Sequence, residues 1–179
     1  MAIQIGARPD SGFDDPIGML KDCHRRIERF AELLQRVAEQ AEGRPLMAEE
    51  REAVERALGY FRESGPRHNM DEEESLFPRM QADAKASAEI ERLESEHVGA
   101  AAMHEETADL YAEWIERNIL TEDEGHRLRA ITRQLTELYR DHIRIEEESV
   151  FPKASAMLDD ATLLAMGAEF RNRRSQERG

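Results

Sequence analysis

One seven-residue stretch occurs twice in this chain. Glu72-Glu73-Glu74-Ser75-Leu76-Phe77-Pro78 returns as Glu146-Glu147-Glu148-Ser149-Val150-Phe151-Pro152, and a histidine stands four residues ahead of the first glutamate of each copy, His68 and His142. A second pair, His24 and His97, is offset by almost the same interval. The chain therefore reads as two similar hairpins: one helix with a histidine near its start, then one with His-x-x-x-Glu near its end. A duplicated hairpin could repeat for packing alone, but packing gives no reason to repeat His and Glu on an inward stripe. Burying a charged carboxylate costs several kcal/mol unless something compensates it.

The periodicity is helical throughout. Alternating Val/Ile/Thr runs are absent, and apolar residues return at spacings of three and four. The first segment opens at Pro16, capped by Asp14 or Asp15, carries Leu20, His24, Ile27, Ala31, Leu34 and Ala38, and stops before Gly43-Arg44-Pro45. The second runs from Ala48 to Phe77 through Val54, Leu58, Phe61, His68 and Glu72, with a kink expected at Gly65-Pro66 and Pro78 as its end. The third covers Ala84 to Asn118 with Ile90, Leu93, His97, Ala101, His104, Ala108, Tyr111 and Ile115 inward. The fourth opens on a Thr121–Glu124 capping box, carries Leu128, Ile131, Leu135, Leu138, His142 and Glu146, and is closed by Pro152. A shorter helix is predicted over Ala161 to Phe170, with a frayed tail after it.

Four long helices with short connections predict an all-α, up-down-up-down four-helix bundle with a short C-terminal helix. The expected division is an N-terminal extension over 1–13, the bundle over 14–156, and the C-terminal helix with its charged tail over 157–179. In such a bundle the start of the first helix, the end of the second, the start of the third and the end of the fourth share one end. His24, His68, Glu72, His97, His142 and Glu146 then fall in one layer, and i to i+4 spacing stacks each His over its Glu.

Four imidazoles and two carboxylates form a ligand set for two metal ions, two imidazoles to each ion with both carboxylates bridging. That donor set suits iron, manganese or zinc, and no thiolate cluster biases it toward copper(I). Glu73, Glu74, Glu147 and Glu148 are expected on solvated faces or as partners to imidazole N–H groups. His104 is predicted to line the core or a channel that gates ligand access, His126 to lie on the surface, and Cys23 to pack. Phe77 and Phe151 are expected to seal the site from water, Met103, Tyr111 and Trp114 to belong to the core, and Arg171-Asn172-Arg173-Arg174 to be a solvated tail.

Composition narrows the partners. The net charge of −14 repels phosphate backbones and anionic lipid surfaces, so neither nucleic acid nor membrane is expected as a partner, and no protein partner is identified. A single Cys excludes a disulfide framework and a Cys-based zinc site. No apolar run approaches the roughly 20 residues that span a bilayer, and Met1 to Pro16 lacks the apolar core of a secretion signal, so a cytoplasmic location is expected.

The order of a lone His, HxxxEExxxFP, a second lone His and a second HxxxEExxxFP resembles the hemerythrin-like, or HHE cation-binding, family, over about Asp15 to Pro152. The resemblance implies a non-haem di-iron centre, two iron ions with a bridging oxo or hydroxo group, with zinc or manganese as the other ions such a site takes. Carried over by position, His24, His68, His97 and His142 are the implied imidazole ligands, and Glu72 and Glu146 the bridging carboxylates. Oxygen-carrying hemerythrins have a further His four residues after the third-helix His, where this chain has Ala101. That departure leaves one ion short of an imidazole and shifts the expectation from stable O2 carriage toward other roles. The implied function is a di-iron protein engaging O2, NO or iron for sensing, storage or stress response. The alternatives are an oxidase or peroxide-consuming enzyme using the open iron position, and a module in which the metal serves only structure.

Overall fold

In the computed structural model the described residues are 10–81 and 84–176. Most of the expected N-terminal extension and the last three residues of the tail lie outside them. Among the described residues every regular element is a helix: α1 (Pro16–Ala41), α2 (Ala48–Glu63), α3 (Gly65–Asp71), a π-helical turn (Glu72–Leu76), α4 (Phe77–Met80), α5 (Ala84–Arg117), α6 (Glu122–Ile145), a second π turn (Glu146–Val150), α7 (Phe151–Met157) and α8 (Asp160–Gln176). Among the described residues no helix is long and apolar enough to cross a membrane.

Local chemistry sets the boundaries. Asp15 Oδ1 accepts from the Gly18 N–H at 2.9 Å, and Pro16 occupies the first turn of α1, where its missing N–H costs nothing. The α1 C-terminus unwinds through left-handed Glu42 and Gly43, with φ of 47° and 77°. Thr121 and Glu124 make the reciprocal capping box that starts α6. The predicted kink falls at Ser64, before Gly65-Pro66, and splits α2 from α3 one turn ahead of His68.

The long helices pack in a ring: α1 on α2 and α6, and α5 on α2 and α6. This is an up-down-up-down bundle. Two apolar clusters fill it. One holds Ile27, Leu34, Val54, Phe61, Tyr111, Trp114, Leu128 and Ile131, and the other holds Ile17, Leu20, Leu76, Phe77, Leu93, Val150, Phe151 and Phe170. Each lone histidine sits where its helix passes from one cluster to the other, His24 between Leu20 and Ile27. A polar layer is thus held between two dry ones.

Two expectations are corrected. Neither Pro78 nor Pro152 ends its helix, since α4 continues to Met80 and α7 to Met157. The π turns explain this. Phe77 N–H bonds to Glu72 O and Phe151 N–H to Glu146 O, one residue further back than in an α-helix, so each proline enters as a first-turn residue of a new α segment. Both π turns start at a glutamate of the repeated motif.

The C-terminal basic run is not a solvated tail either. α8 extends to Gln176 and lies against α1, α3 and the first π turn with Met166, Gly167 and Phe170 buried. The approach at Gly167 is so close that a Cβ there would sit 1.7 Å from Phe13 O. Arg173 Nη1 and Arg174 Nη2 reach the two oxygens of buried Asp71 at 2.9 and 2.7 Å, and Arg173 Nη2 donates to Ser75 Oγ at 2.7 Å. Asp71 directly precedes Glu72, so α8 latches the backbone that carries one half of the polar layer. Breaking a buried ion pair costs about 3–5 kcal/mol, and the outer sides of these arginines are wet. Asp71→Ala is therefore expected to lower stability by about 2–3 kcal/mol in urea denaturation. A loss below about 0.5 kcal/mol, the range of ordinary surface substitutions, would contradict the latch.

Candidate metal centre

The structure brings all six singled-out side chains into one buried cluster. Their ligand atoms form two overlapping groups, His24, His68, Glu72 and Glu146 on one side and His97, His142, Glu72 and Glu146 on the other. Within each group one donor atom per residue lies within 4.8 Å of the others. Glu72 and Glu146 belong to both. His68 Nε2 is 3.4 Å from Glu72 Oε1, and His97 Nε2 is 3.5 Å from Glu72 Oε2. His142 Nε2 is 3.4 Å from Glu146 Oε1, and His24 Nε2 is 3.1 Å from Glu146 Oε2. Each carboxylate thus offers one oxygen to each side. His97 Nε2 and His142 Nε2 are themselves 3.1 Å apart.

The inner atoms lack conventional partners. His24 Nε2 and all four oxygens of Glu72 and Glu146 are buried without an aligned hydrogen bond. Buried carboxylate oxygens are costly in that condition, and five convergent orphans at one point are what a cation site requires. The charges lean on one another. Burial pushes the Glu72 carboxyl up to about 8, and the neighbouring Glu146 carboxylate adds to the rise. Burial disfavours the Glu146 charge as well, but His142 and His24 outweigh it and hold Glu146 well below the usual carboxylate range. Burial likewise opposes charge on His142, yet Glu146, Glu72 and Glu96 raise it to about 9, and His24 is raised by Glu146, Glu147 and Glu72. His68 and His97 are pushed down, chiefly by burial.

The outer face of the cluster orients the rings. His24 Nδ1 lies 2.9 Å from Glu147 Oε1, and His97 Nδ1 lies 2.6 Å from Glu73 Oε1. Each of these glutamates reaches across to the lone histidine of the other half, which places both as partners to imidazole N–H groups. Phe151 stacks on His24 and Phe77 on His97, each ring 12° from parallel, with the same exchange between halves. Both phenylalanines are buried.

One partner escaped the sequence reading. His142 Nδ1 lies 2.9 Å from Glu96 Oε2. Glu96 directly precedes His97, and the repeat places Cys23 at the matching position before His24. A thiol cannot replace a carboxylate here, and His68 Nδ1 is buried with no hydrogen-bond partner. The asymmetry between Cys23 and Glu96 is visible once the two halves are aligned. Cys23 itself is half-buried, with Arg26 Nη2 3.6 Å from its sulfur.

The remaining expectations divide. His126 is exposed beside Glu122, and Tyr111 and Trp114 are core residues. Ala101 is not on the inward stripe of α5. It is exposed, and Ala100 is buried in its place, because the inward face runs Leu93, His97, Ala100, Thr107, Tyr111, Trp114. His104 stands at the edge of that face, half-buried, with Nε2 2.7 Å from Tyr139 Oη.

A profile of the hemerythrin HHE cation-binding domain matches residues 15–154, the stretch that contains every member of the cluster. The chain belongs to the hemerythrin HHE family. It is also similar to an uncharacterized protein of Haemophilus influenzae, 27% identical over 163 residues that cover 90% of this chain and 91% of that one. In this hemerythrin-like chain a cavity of about 260 Å³ adjoins the cluster, lined by His97, Ala100, Ala101, His104 and Tyr139 among others. It lies on the His97 side, next to the position where oxygen-carrying hemerythrins have their additional histidine.

Proposed function

We propose that His24, His68, Glu72, His97, His142 and Glu146 hold two metal ions, iron foremost, and that the chain uses them to engage a small ligand such as O2 or NO in sensing, iron handling or stress response. The observation that carries this reading is the sharing of both buried carboxylates between two imidazole pairs, with their oxygens otherwise unsatisfied. An iron pair supplies two electrons within one site and positions for an outside ligand. The protein's part is to fix the rings, exclude water and leave one side open. Glu147, Glu73 and Glu96 hold three imidazoles by Nδ1, which turns Nε2 inward. Phe77 and Phe151 close the rings' outer faces, and the cavity beside His97 provides the entry. Loading must displace the protons held by Glu72, His24 and His142, all three raised in the buried cluster, so metal affinity falls as the pH is lowered.

The test is spectroscopic. Protein purified without air is expected to hold about two ions per chain, to bind NO, and to develop ligand-to-iron absorption on exposure to O2. Two ions of zinc with no response to either gas would replace this reading with a purely structural one.

A further inference from the structure

The cavity beside His97 is lined by polar side chains that the six-residue cluster does not use: Asn69, and a hydrogen-bonded pair. His104 on α5 and Tyr139 on α6 meet across it, Nε2 to Oη at 2.7 Å. The Phe61 ring packs against both, with centroids 4.1 Å from His104 and 6.0 Å from Tyr139. Ile27, Ala100 and Ala101 give the same cavity apolar walls.

Burial pushes the His104 imidazole down to about 4 and raises the Tyr139 phenol, so both are neutral at physiological pH. A neutral imidazole has one N–H. With that proton on Nε2, His104 donates to Tyr139 Oη, and the phenol O–H is left free to turn into the cavity.

We propose that Tyr139, held by His104, is the hydrogen-bond donor of the cavity beside His97 and gives its O–H to the outer atom of the small ligand that the neighbouring cluster engages. This rests on the two-ion reading of the neighbouring cluster. The walls favour a neutral molecule: apolar surface and an uncharged phenol recognise a small hydrogen-bond acceptor, and among the described residues no Lys or Arg lines the cavity to select an anion. Tyr139 is the binding residue. His104 is a positioning residue that acts through it.

The probe is NO, added to protein loaded with ferrous iron. Tyr139→Phe removes only the hydroxyl and is expected to load as much iron as the parent, while NO affinity falls roughly five- to tenfold, the worth of one hydrogen bond. The N–O stretching frequency is expected to rise, and its small shift in D2O to vanish. His104→Leu is expected to reproduce part of the loss, and His104→Gln, which keeps an N–H donor, to restore it. Ala101→Leu, at the exposed wall, is expected to slow NO entry without removing iron. A Tyr139→Phe protein with full iron, unchanged NO affinity and an unchanged N–O stretch overturns the proposal and leaves the two-ion reading standing. A parent protein that holds no iron pair overturns both.

Discussion

Glu146→Ala is expected to empty the whole centre, whereas His68→Ala is expected to empty half of it. Glu146 and Glu72 belong to both ligand groups, while His68 serves only the group that also contains His24. Removing Glu146 takes one oxygen from each ion and leaves the charge of two cations opposed by a single carboxylate. Metal content should then fall from about two ions per chain to nearly none. Losing His68 leaves the His97–His142 side intact, and about one ion should remain. His126→Ala, at an exposed position on α6, should retain both ions. Elemental analysis of the four purified proteins reads this directly. Equal loading in all of them would refute the assignment, and equal loss in His68→Ala and Glu146→Ala would refute the shared role of the carboxylates.

Metal removal should have the second large effect. An ion present at a thousandfold its dissociation constant stabilises the state that binds it by about 4 kcal/mol. Two such ions, at about 2–4 °C per kcal/mol for a chain of this size, correspond to a melting temperature lowered by roughly 15–30 °C on chelation. The ions should leave in order. His97 and His142 both have a carboxylate on Nδ1, while on the other side only His24 does, and loss of such a partner weakens metal binding by about 10- to 100-fold. A competing chelator should therefore take the His24–His68 ion first. Glu72→Gln sharpens the test. The amide abolishes loading yet relieves the buried carboxyl, so the chelated variant should melt no lower than the chelated parent. If Glu72 were a packing residue alone, Gln would lower the melting temperature of both forms and leave the metal content unchanged.

Much of this arrangement is legible in the chain because two rules of helical geometry suffice for it. Spacing of i to i+4 stacks His68 over Glu72 and His142 over Glu146, and antiparallel helices of known length bring His24 and His97 to the same level. Those rules ask only for periodicity and rough helix ends, which the apolar stripes supply. What they miss is finer than one residue of register. Pro78 and Pro152 read as stops because a proline inside an α-helix removes a hydrogen bond. The π turns that admit them depend on a bulge whose only sequence trace is a Phe-Pro placed shortly after each glutamate. The spacing in α5 points Ala101 and His104 inward, but Ala100 and Thr107 occupy that face instead. A stripe of small residues around Gly99 leaves the phase of the helix to packing partners.

The latch of α8 was hidden for a different reason. Arg173 and Arg174 resemble any basic tail until Asp71 is seen to be buried, and burial of an aspartate next to the motif has no periodic signature. Glu96 was hidden by its neighbour: it precedes His97 in sequence but serves His142 across the helix pair. Partners of this kind connect helices that sequence spacing treats separately.

The most direct measurement is anomalous X-ray scattering at the absorption edge of the bound metal, from crystals of protein loaded without chelators. Two peaks inside the bundle are required, one beside His24 and His68, the other beside His97 and His142, with Glu72 and Glu146 between them. A single peak, or peaks at the protein surface with that layer dry, would contradict a paired metal centre.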